Sequence, residues 1–458
     1  MRSTFVRAER SDLAGTRLEL LLDPGTLRPL RDGVGDGVVA GSGDVHGQPV
    51  FAWAQDGRDR GGSLGALGGE TIAETIRRAD RRGVPVIGFP HSGGARLQEG
   101  TAALTAYAAI FHAQARARVP QISVVTGPCA GGAAYSPALG DLTVMVAQDG
   151  LLFLTGPKVV EQVTRERVTP QALGGSRVHD ANGVAHIVAD DELAATELAR
   201  ELLGYLPPLQ GGSLPLAPPR PPRPGDPGDV LPARRAQVYD IRDVIARVVD
   251  GGELRELAPR WARNLVVGFA RLDGAPVGVI ANQPRYLGGT LDARGAEKGA
   301  WFVQLCDRFE IPLVVLVDTP GFLPGTRQER DGVIRHGASL LRAFARARTP
   351  RVTVTLRQAY GGAHIVMNSR DLGADHTLAW TDAHIGVMGA VQAVELIERS
   401  AIAAGADRDA LAEAYGEEHL PVRRAAADGF VDEVIAPSDT RDRLLGVLHA
   451  RTPRGAWR

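Results

Sequence analysis

The chain repeats itself. His46-Gly47-Gln48-Pro49-Val50 returns as Asp273-Gly274-Ala275-Pro276-Val277 in a sequence of 458 residues. At the same offset, Glu70 opens a helical pattern ending at Val84-Pro85, and Glu297 opens one ending at Ile311-Pro312. After one short slip in register, Val119-Pro120 leads to Gly131-Gly132-Ala133, and Thr349-Pro350 to Gly361-Gly362-Ala363. Matched landmarks in one order describe an internal duplication with about 200 residues per copy. Whatever one copy folds into, the chain must build it twice. Between the copies, Pro207 to Pro232 holds ten prolines. Such a stretch favours extended backbone and continues neither a helix nor a central strand. The expected organisation is residues 1–206, a linker over 207–234, and residues 235–458.

Each copy follows the same grammar. A strand pair (Gly37–Ser42 with Val50–Ala54; Leu265–Ala270 with Val277–Asn282) precedes a helix (Glu70–Arg81; Glu297–Asp307). An apolar strand follows (Val84–Phe89; Leu313–Asp318), then a Gly-rich loop and a further helix. The next strand (Gln121–Thr126; Arg351–Leu356) enters a Gly-Gly-Ala turn, and another (Leu142–Val146; Thr377–Ala379) comes after it. Strands apolar on both faces that alternate with helices predict an α/β fold with parallel strands. Repeated ββα units predict a spiral of turns rather than one flat sheet.

Composition narrows the function. A net charge of −1 gives no global attraction to nucleic acid or to an acidic membrane. Apolar runs such as Ile311 to Val317 fall far short of the roughly 20 residues that span a bilayer. The N-terminus mixes Arg2, Arg7, Glu9, Arg10 and Asp12, unlike a signal peptide, so a cytoplasmic protein is expected. Two cysteines, Cys129 and Cys306, support neither a disulfide framework nor a four-cysteine zinc site. The histidines lack ligand spacing, so no metal is expected. Only Lys158 and Lys298 could carry lysine chemistry, and neither is flanked by Met as a biotin-attachment lysine normally is.

The loops after the buried strands could carry chemistry. The first copy has His91-Ser92-Gly93-Gly94-Ala95-Arg96 and Gly127-Pro128-Cys129-Ala130-Gly131-Gly132-Ala133. The second has Asp318-Thr319-Pro320-Gly321-Phe322 and Tyr360-Gly361-Gly362-Ala363 in equivalent places. Loops at the carboxyl ends of parallel strands are where α/β proteins place ligands. Glycine lets ligand atoms approach the backbone, and a helix that starts there presents unpaired N–H groups. Such groups stabilise a developing oxyanion, and losing one well-placed donor costs about 2.7–4 kcal/mol of barrier. A tight strand-to-helix turn that needs small residues would look the same in one copy; its recurrence favours the ligand reading.

Other features read as structural. Pro90-His91-Ser92-Gly93-Gly94 lacks the first glycine of a nucleophile elbow. Gly41-Ser42-Gly43 reads as a hairpin between strands, and Gly33, Gly35 and Gly37 as turns. Asp375, Asp382 and His384 read as solvated turn residues, and Cys129 as small packing.

Ile87-Gly88-Phe89-Pro90-His91-Ser92-Gly93-Gly94-Ala95-Arg96-Leu97-Gln98-Glu99-Gly100, together with the two Gly-Gly-Ala stretches and Asp318-Thr319-Pro320-Gly321-Phe322-Leu323-Pro324-Gly325, resembles the carboxyltransferase β subunit of biotin-dependent acyl-CoA carboxylases. The acetyl-/propionyl-CoA carboxylase type of actinobacteria is the nearest variety. The resemblance runs from about Leu18 to Leu445 and implies two tandem crotonase-like (ββα spiral) domains. It implies transfer of a carboxyl group from N1′-carboxybiotin to the α-carbon of a short-chain acyl-CoA. The biotin would ride on a separate biotin carboxylase/biotin carrier α subunit. By this resemblance Gly131 and Gly132 hold the thioester oxygen, and Gly362 and Ala363 the biotin carbonyl, with the inverse pairing open. Ser92, Gly93, Gly94, Ala95 and Arg96 line the CoA side. Gly321, Phe322, Tyr360 and Gly361 line the biotin side. Ile365 resembles the apolar residue of acetyl-CoA-accepting, broader enzymes. A dimer is the minimum assembly and a hexamer the usual one.

The sequence also departs from that pattern. His91 stands where the family usually has an acid. Gly57-Arg58-Asp59-Arg60 replaces a mostly apolar stretch, Thr381-Asp382 a Pro-Thr pair, and Gln358 a common Lys. The same residues would serve a malonyl- or methylmalonyl-CoA decarboxylase complex, and the departures at His91 and Gly57 to Arg60 leave a non-catalytic CoA-binding scaffold as a further alternative.

Overall fold

Strands that are apolar on both faces need cover on both sides, and each copy provides it in the same way. The computed structural model describes residues 13–31, 36–209, 212–235 and 237–451. The N-terminal charges read above, and Gly33 and Gly35, lie outside them. The chain divides into two compact units, one ending at Gly212 and the other beginning at Ser213.

In the first unit an antiparallel pair, Val38–Val45 with Gln48–Gln55, joins the parallel strands Val86–Phe89, Gln121–Val125, Leu142–Val146 and Ile187–Ala189. Two short strands, Pro128–Ala130 and Leu151–Phe153, pair in parallel as a separate small sheet, and Ser92 bridges Cys129 beside them. Each turn of chain therefore visits the large sheet, then the small one, then a helix (Thr101–Arg116, Tyr135–Leu139, Pro157–Thr164). This is the ββα spiral. The second unit repeats it with Leu265–Leu272 and Ala275–Asn282 antiparallel, followed by Leu313–Thr319, Arg351–Tyr360, His376–Trp380 and Glu433–Ile435 in parallel. Arg351–Tyr360 is continuous: its start pairs with His376–Trp380 and its last three residues pair with His384–Gly386.

The duplication extends to backbone angles. The hairpin turns are His46-Gly47 (φ 51° and 74°) and Asp273-Gly274 (φ 51° and 79°). Both positions are left-handed, as a two-residue turn matched to strand twist requires. Gly41-Ser42-Gly43 is thus not the hairpin but the middle of the strand Val38–Val45. A Cβ at Gly41 would stand 2.6 Å from the Arg28 carbonyl oxygen, so glycine there admits the edge strand Arg28–Pro29.

Helices begin earlier than the expected starts at Glu70 and Glu297, at Ala66 and Ala293. Gly68 and Gly69 fall inside the first of them. A Cβ at Gly69 would meet the Ala106 Cβ at 2.3 Å, so this glycine permits close helix packing. Ile72, Ala73, Ile76 and Ala79 bury one face, and Gly83 (φ 65°) ends the helix in the left-handed conformation. In Ala293–Arg308, Lys298 is wholly buried and donates to the carbonyls of Ala258, Trp261 and Leu265 at 2.9, 2.9 and 2.8 Å. That lysine is structural.

The proline-rich stretch from Ser213 onward is strapped onto the second unit rather than free. Ala217 N donates to Gly274 O at 3.0 Å, Arg223 N to Ala246 O at 2.9 Å, and Arg271 Nη1 to Pro215 O at 2.8 Å.

Candidate functional site

In the first unit the strand Gln121–Val125 leads through Pro128–Ala130 into a tight turn, Gly131–Ala134. Gly131 sits at φ 60°, a conformation glycine adopts without penalty. Among the described residues, neither the Gly131 nor the Gly132 N–H has a protein acceptor. Behind them lies the Tyr107 ring, 3.0 Å from where a Gly132 Cβ would be. The Tyr107 phenol shares a 3.1 Å hydrogen bond with Ser92 Oγ, which also accepts from Gly94 N at 3.1 Å. Ser92 N donates to Pro128 O at 2.7 Å, and Ala130 N to Ser92 O at 2.8 Å. The two loops are thereby laced together. The Ser92 side chain is fully buried, and its hydrogen bonds hold the backbone of the loop in place. Burial pushes both the Tyr107 phenol and the Cys129 thiol up to about 12, which leaves Cys129 an inert packing group.

Gly93 N donates to Gly61 O, and Leu64 N to Gly94 O, at 3.0 and 2.9 Å. Gly94 comes close to Gly131: a Cβ on the latter would lie 4.0 Å from the Gly94 Cα. Arg96 N donates to Leu64 O at 2.9 Å, with Ala95 in a bridge to Leu64. The Arg96 guanidinium turns inward to Asp36, Glu99 and the Ser63 carbonyl. It is a buried strut.

The second unit repeats the lacing at the equivalent places. Leu291 N donates to Gly321 O at 3.0 Å, and Leu323 N to Leu291 O at 2.7 Å. Gly361 has φ 58°, matching Gly131. Gly362 and Ala363 occupy the first turn of Gly361–Val366, and their N–H groups have no protein acceptor among the described residues. The Phe322 ring lies 3.8 Å from a Gly362 Cβ position. Gly321 (φ 140°) faces open space, with nothing within 4 Å of a Cβ position. Tyr360 is buried, and burial raises its phenol. Ile365, on the same short helix, is half exposed.

The strands beneath differ in charge. Asp318, fully buried, accepts from the Tyr239 phenol at 2.7 Å and pairs with Arg357 Nε at 3.0 Å. Burial raises the Asp318 carboxyl, against the pull of Arg357 and Tyr239. His91 is the counterpart of Asp318 in the first copy, at the offset that relates Pro49 to Pro276. Its ring is clasped by two glycines: a Cβ at Gly57 would lie 2.2 Å from Nε2, and one at Gly127 2.4 Å from Cε1. Burial lowers its basicity, and Nδ1 has no hydrogen-bond partner among the described residues. The His91 ring therefore fills the space that a side chain at 57 would take. Arg58 folds back on Asp56, and its hydrogen bonds hold that carboxyl at about 2.

Nor are Asp375 and His384 solvated turn residues. Asp375 accepts from Arg351 N at 2.8 Å, and His384 opens a strand where burial takes its imidazole down to about 4. Sequence reasoning missed Tyr107, Tyr239 and Arg357. A comparison of the two copies position by position would have exposed Tyr107, because its counterpart is Gly337, at the offset that relates Gly131 to Gly361. Among the described residues no group of three or more His, Cys, Asp or Glu side chains could hold a metal, and no helix is long and apolar enough to cross a membrane.

Comparison with known proteins agrees with this architecture. The carboxyl transferase domain family matches residues 11–454. The chain is 46% identical over 424 residues to the propionyl-CoA carboxylase carboxyltransferase subunit of Haloferax mediterranei, covering 90% of this chain and 82% of that one. It is 44% identical over 422 residues to the methylmalonyl-CoA decarboxylase subunit alpha of Veillonella parvula, covering 90% and 82%. Among solved structures it is similar to the transcarboxylase 12S hexamer with methylmalonyl-coenzyme A bound, with a TM-score of 0.92 and 42% identity over 96% of this chain and 89% of that one. A duplicated ββα spiral with an unpaired amide pair in each copy, matched over nearly its whole length, makes this chain a member of the carboxyl transferase domain family.

Proposed function

We propose that the chain is the carboxyltransferase subunit of a biotin-dependent acyl-CoA carboxylase and that it acts through two backbone oxyanion holes. The observation that carries this is the pair of unpaired amides in each unit, Gly131/Gly132 and Gly362/Ala363, each in a turn that opens on a left-handed glycine, Gly131 or Gly361. The reaction develops negative charge on two oxygens, the thioester oxygen of the acyl-CoA enolate and the ureido oxygen of biotin as the carboxyl group leaves it. Amides fixed before reaction stabilise both without reorganising.

Gly131 and Gly132 serve the acyl-CoA, with the backbone of Ser92 to Arg96 beside them. Gly362 and Ala363 serve biotin, with Gly321, Phe322, Tyr360 and Gly361 around them. The open space at Gly321 and the exposed Gly362 fit a planar ureido ring brought in by a carrier. Biotin comes on a separate biotin carboxylase/biotin carrier α subunit, because Lys298 is buried and Lys158 lacks the flanking methionines. The working form is a cytoplasmic homo-oligomer, at least a dimer, with a hexamer expected from the 12S assembly. Propionyl-CoA and acetyl-CoA are the substrates, and Ile365 bears on the choice between them. The relative from Veillonella parvula supports a second reading, the same transfer run as decarboxylation.

The test is reconstitution. The chain alone should fix no bicarbonate into propionyl-CoA; with biotin carboxylase, ATP and a biotinylated carrier it should. Folded protein that binds acyl-CoA yet stays inactive with every carrier would overturn the proposal in favour of a scaffold.

A further inference from the structure

The two units back their amide pairs with an aromatic ring, but they take it from different places. In the first unit the ring is Tyr107, on the helix Thr101–Arg116, and the loop position that corresponds to Phe322 is Ala95. In the second the loop residue is Phe322, and the helix Val333–Arg346 has Gly337. The equivalences are structural. Ala95 bridges Leu64 just as Phe322 bridges Leu291, so the two loop positions correspond. The two helices end alike, with Ala117 N donating to Ala113 O and Ala347 N to Ala343 O. Counting back equally from those ends puts Gly337 at the place of Tyr107. Each ring meets the second glycine of its turn. Tyr107 lies 3.0 Å from a Gly132 Cβ position, and Phe322 lies 3.8 Å from that of Gly362 and 3.3 Å from that of Gly337. A small residue has replaced the ring at one site wherever a ring has appeared at the other.

We propose that Tyr107 and Phe322 are positioning residues for the two oxyanion holes, each a rigid plate that fixes the peptide plane of Gly132 or Gly362, and that loop and helix are interchangeable sources of that plate. The proposal rests on the reading of these amides as oxyanion holders. An aromatic ring suits the task because it is flat, stiff about two torsions and too large to be displaced by a shift of the glycine. A hole misplaced by about 1 Å loses on the order of 100-fold in rate. In the first unit the phenol adds its bond to Ser92, which ties the plate to the Gly94 amide.

The experiment is a ring transplant in the full-length chain, assayed with a biotinylated carrier and a carboxylated acyl-CoA. Tyr107→Gly should lower kcat by about 100-fold and leave the KM for acyl-CoA within about threefold. Adding Ala95→Phe, which copies the arrangement of the second unit, should restore at least about tenfold of kcat. Tyr107→Phe keeps the plate and should lose less than about tenfold. A folded double variant with no recovery, or Tyr107→Gly with an unchanged kcat, overturns the proposal. Should Tyr107→Gly fail to fold, Phe322→Ala with Gly337→Phe as its rescue runs the same test in the second unit. Gly132→Val separates the two levels. Near-native transfer in that variant refutes the oxyanion reading itself. Loss in Gly132→Val beside full activity in Tyr107→Gly refutes only the plate.

Discussion

Replacing Arg357 by leucine strands a buried carboxylate. Asp318 is the penultimate residue of Leu313–Thr319, fully buried, and Arg357 Nε approaches its Oδ2 at 3.0 Å. Removing one partner of a buried ion pair costs about 3–5 kcal/mol. Arg357 Nη1 also donates to the carbonyls of Arg235 and Gln237 at 2.8 and 2.6 Å, which places the loss towards the upper end. For a unit of this size each kcal/mol shifts Tm by about 2–4 °C, so the melting transition should fall by roughly 10–20 °C. Adding Asp318→Asn should recover more than half, because an amide needs no counter-ion. The pH dependence carries the sign. Burial already raises the Asp318 carboxyl in the parent, so its contribution to stability is complete below the unfolded value and declines as pH rises through the folded one. Arg357→Leu raises the folded value further, so its deficit against the parent should be smaller at an acidic than at a neutral pH, as Asp318 takes up a proton. Scanning calorimetry at both pH values measures this. A deficit equal at both, and unchanged by Asp318→Asn, would show that lost packing rather than stranded charge sets the cost.

Gly362→Val should abolish carboxyl transfer while the folded oligomer persists by light scattering, and a rate near the parent's would remove this amide pair from the mechanism. Ile365→Asp should shift the ratio of kcat/KM values from acetyl- towards propionyl-CoA by a modest factor, since one methylene in a pocket is worth about 1–3 kcal/mol; an unchanged ratio would take Ile365 out of the specificity argument. His186, buried with Nδ1 accepting from Thr143 N at 2.9 Å, is pushed down to about 3 by burial. The unfolded chain then binds a proton the native one refuses, so stability should fall as pH drops from about 6.5, by up to about 1.4 kcal/mol per unit. His186→Asn should lower that slope by one proton in denaturant titrations at several pH values.

The strands and the spiral were legible because their apolar runs are continuous and occur twice. Helix starts were not, because Gly68 and Gly69 look like a turn and take their place in the helix only through the approach of Ala106, a partner distant in sequence. The amide pairs were legible as motifs. The ring behind the first was not, since the counterpart of Tyr107 in the repeat is Gly337, and Phe322 was legible only as a residue of the biotin side. The Asp318 cluster was hidden as well: Tyr239 lies far before it in the chain and Arg357 well after it, and neither separation leaves a local pattern. His91 stood out as a departure, and only the glycines at 57 and 127 explain how its ring is housed.

Transfer of labelled carboxyl from malonyl-CoA, and separately from methylmalonyl-CoA, to a biotinylated carrier by the purified chain needs neither ATP nor biotin carboxylase, and so addresses the two-hole chemistry alone. Two backbone oxyanion holes predict transfer from both donors, lost in Gly132→Val and in Gly362→Val alike. Transfer that survives both substitutions, or no transfer to any carrier from folded protein that binds acyl-CoA, would contradict it.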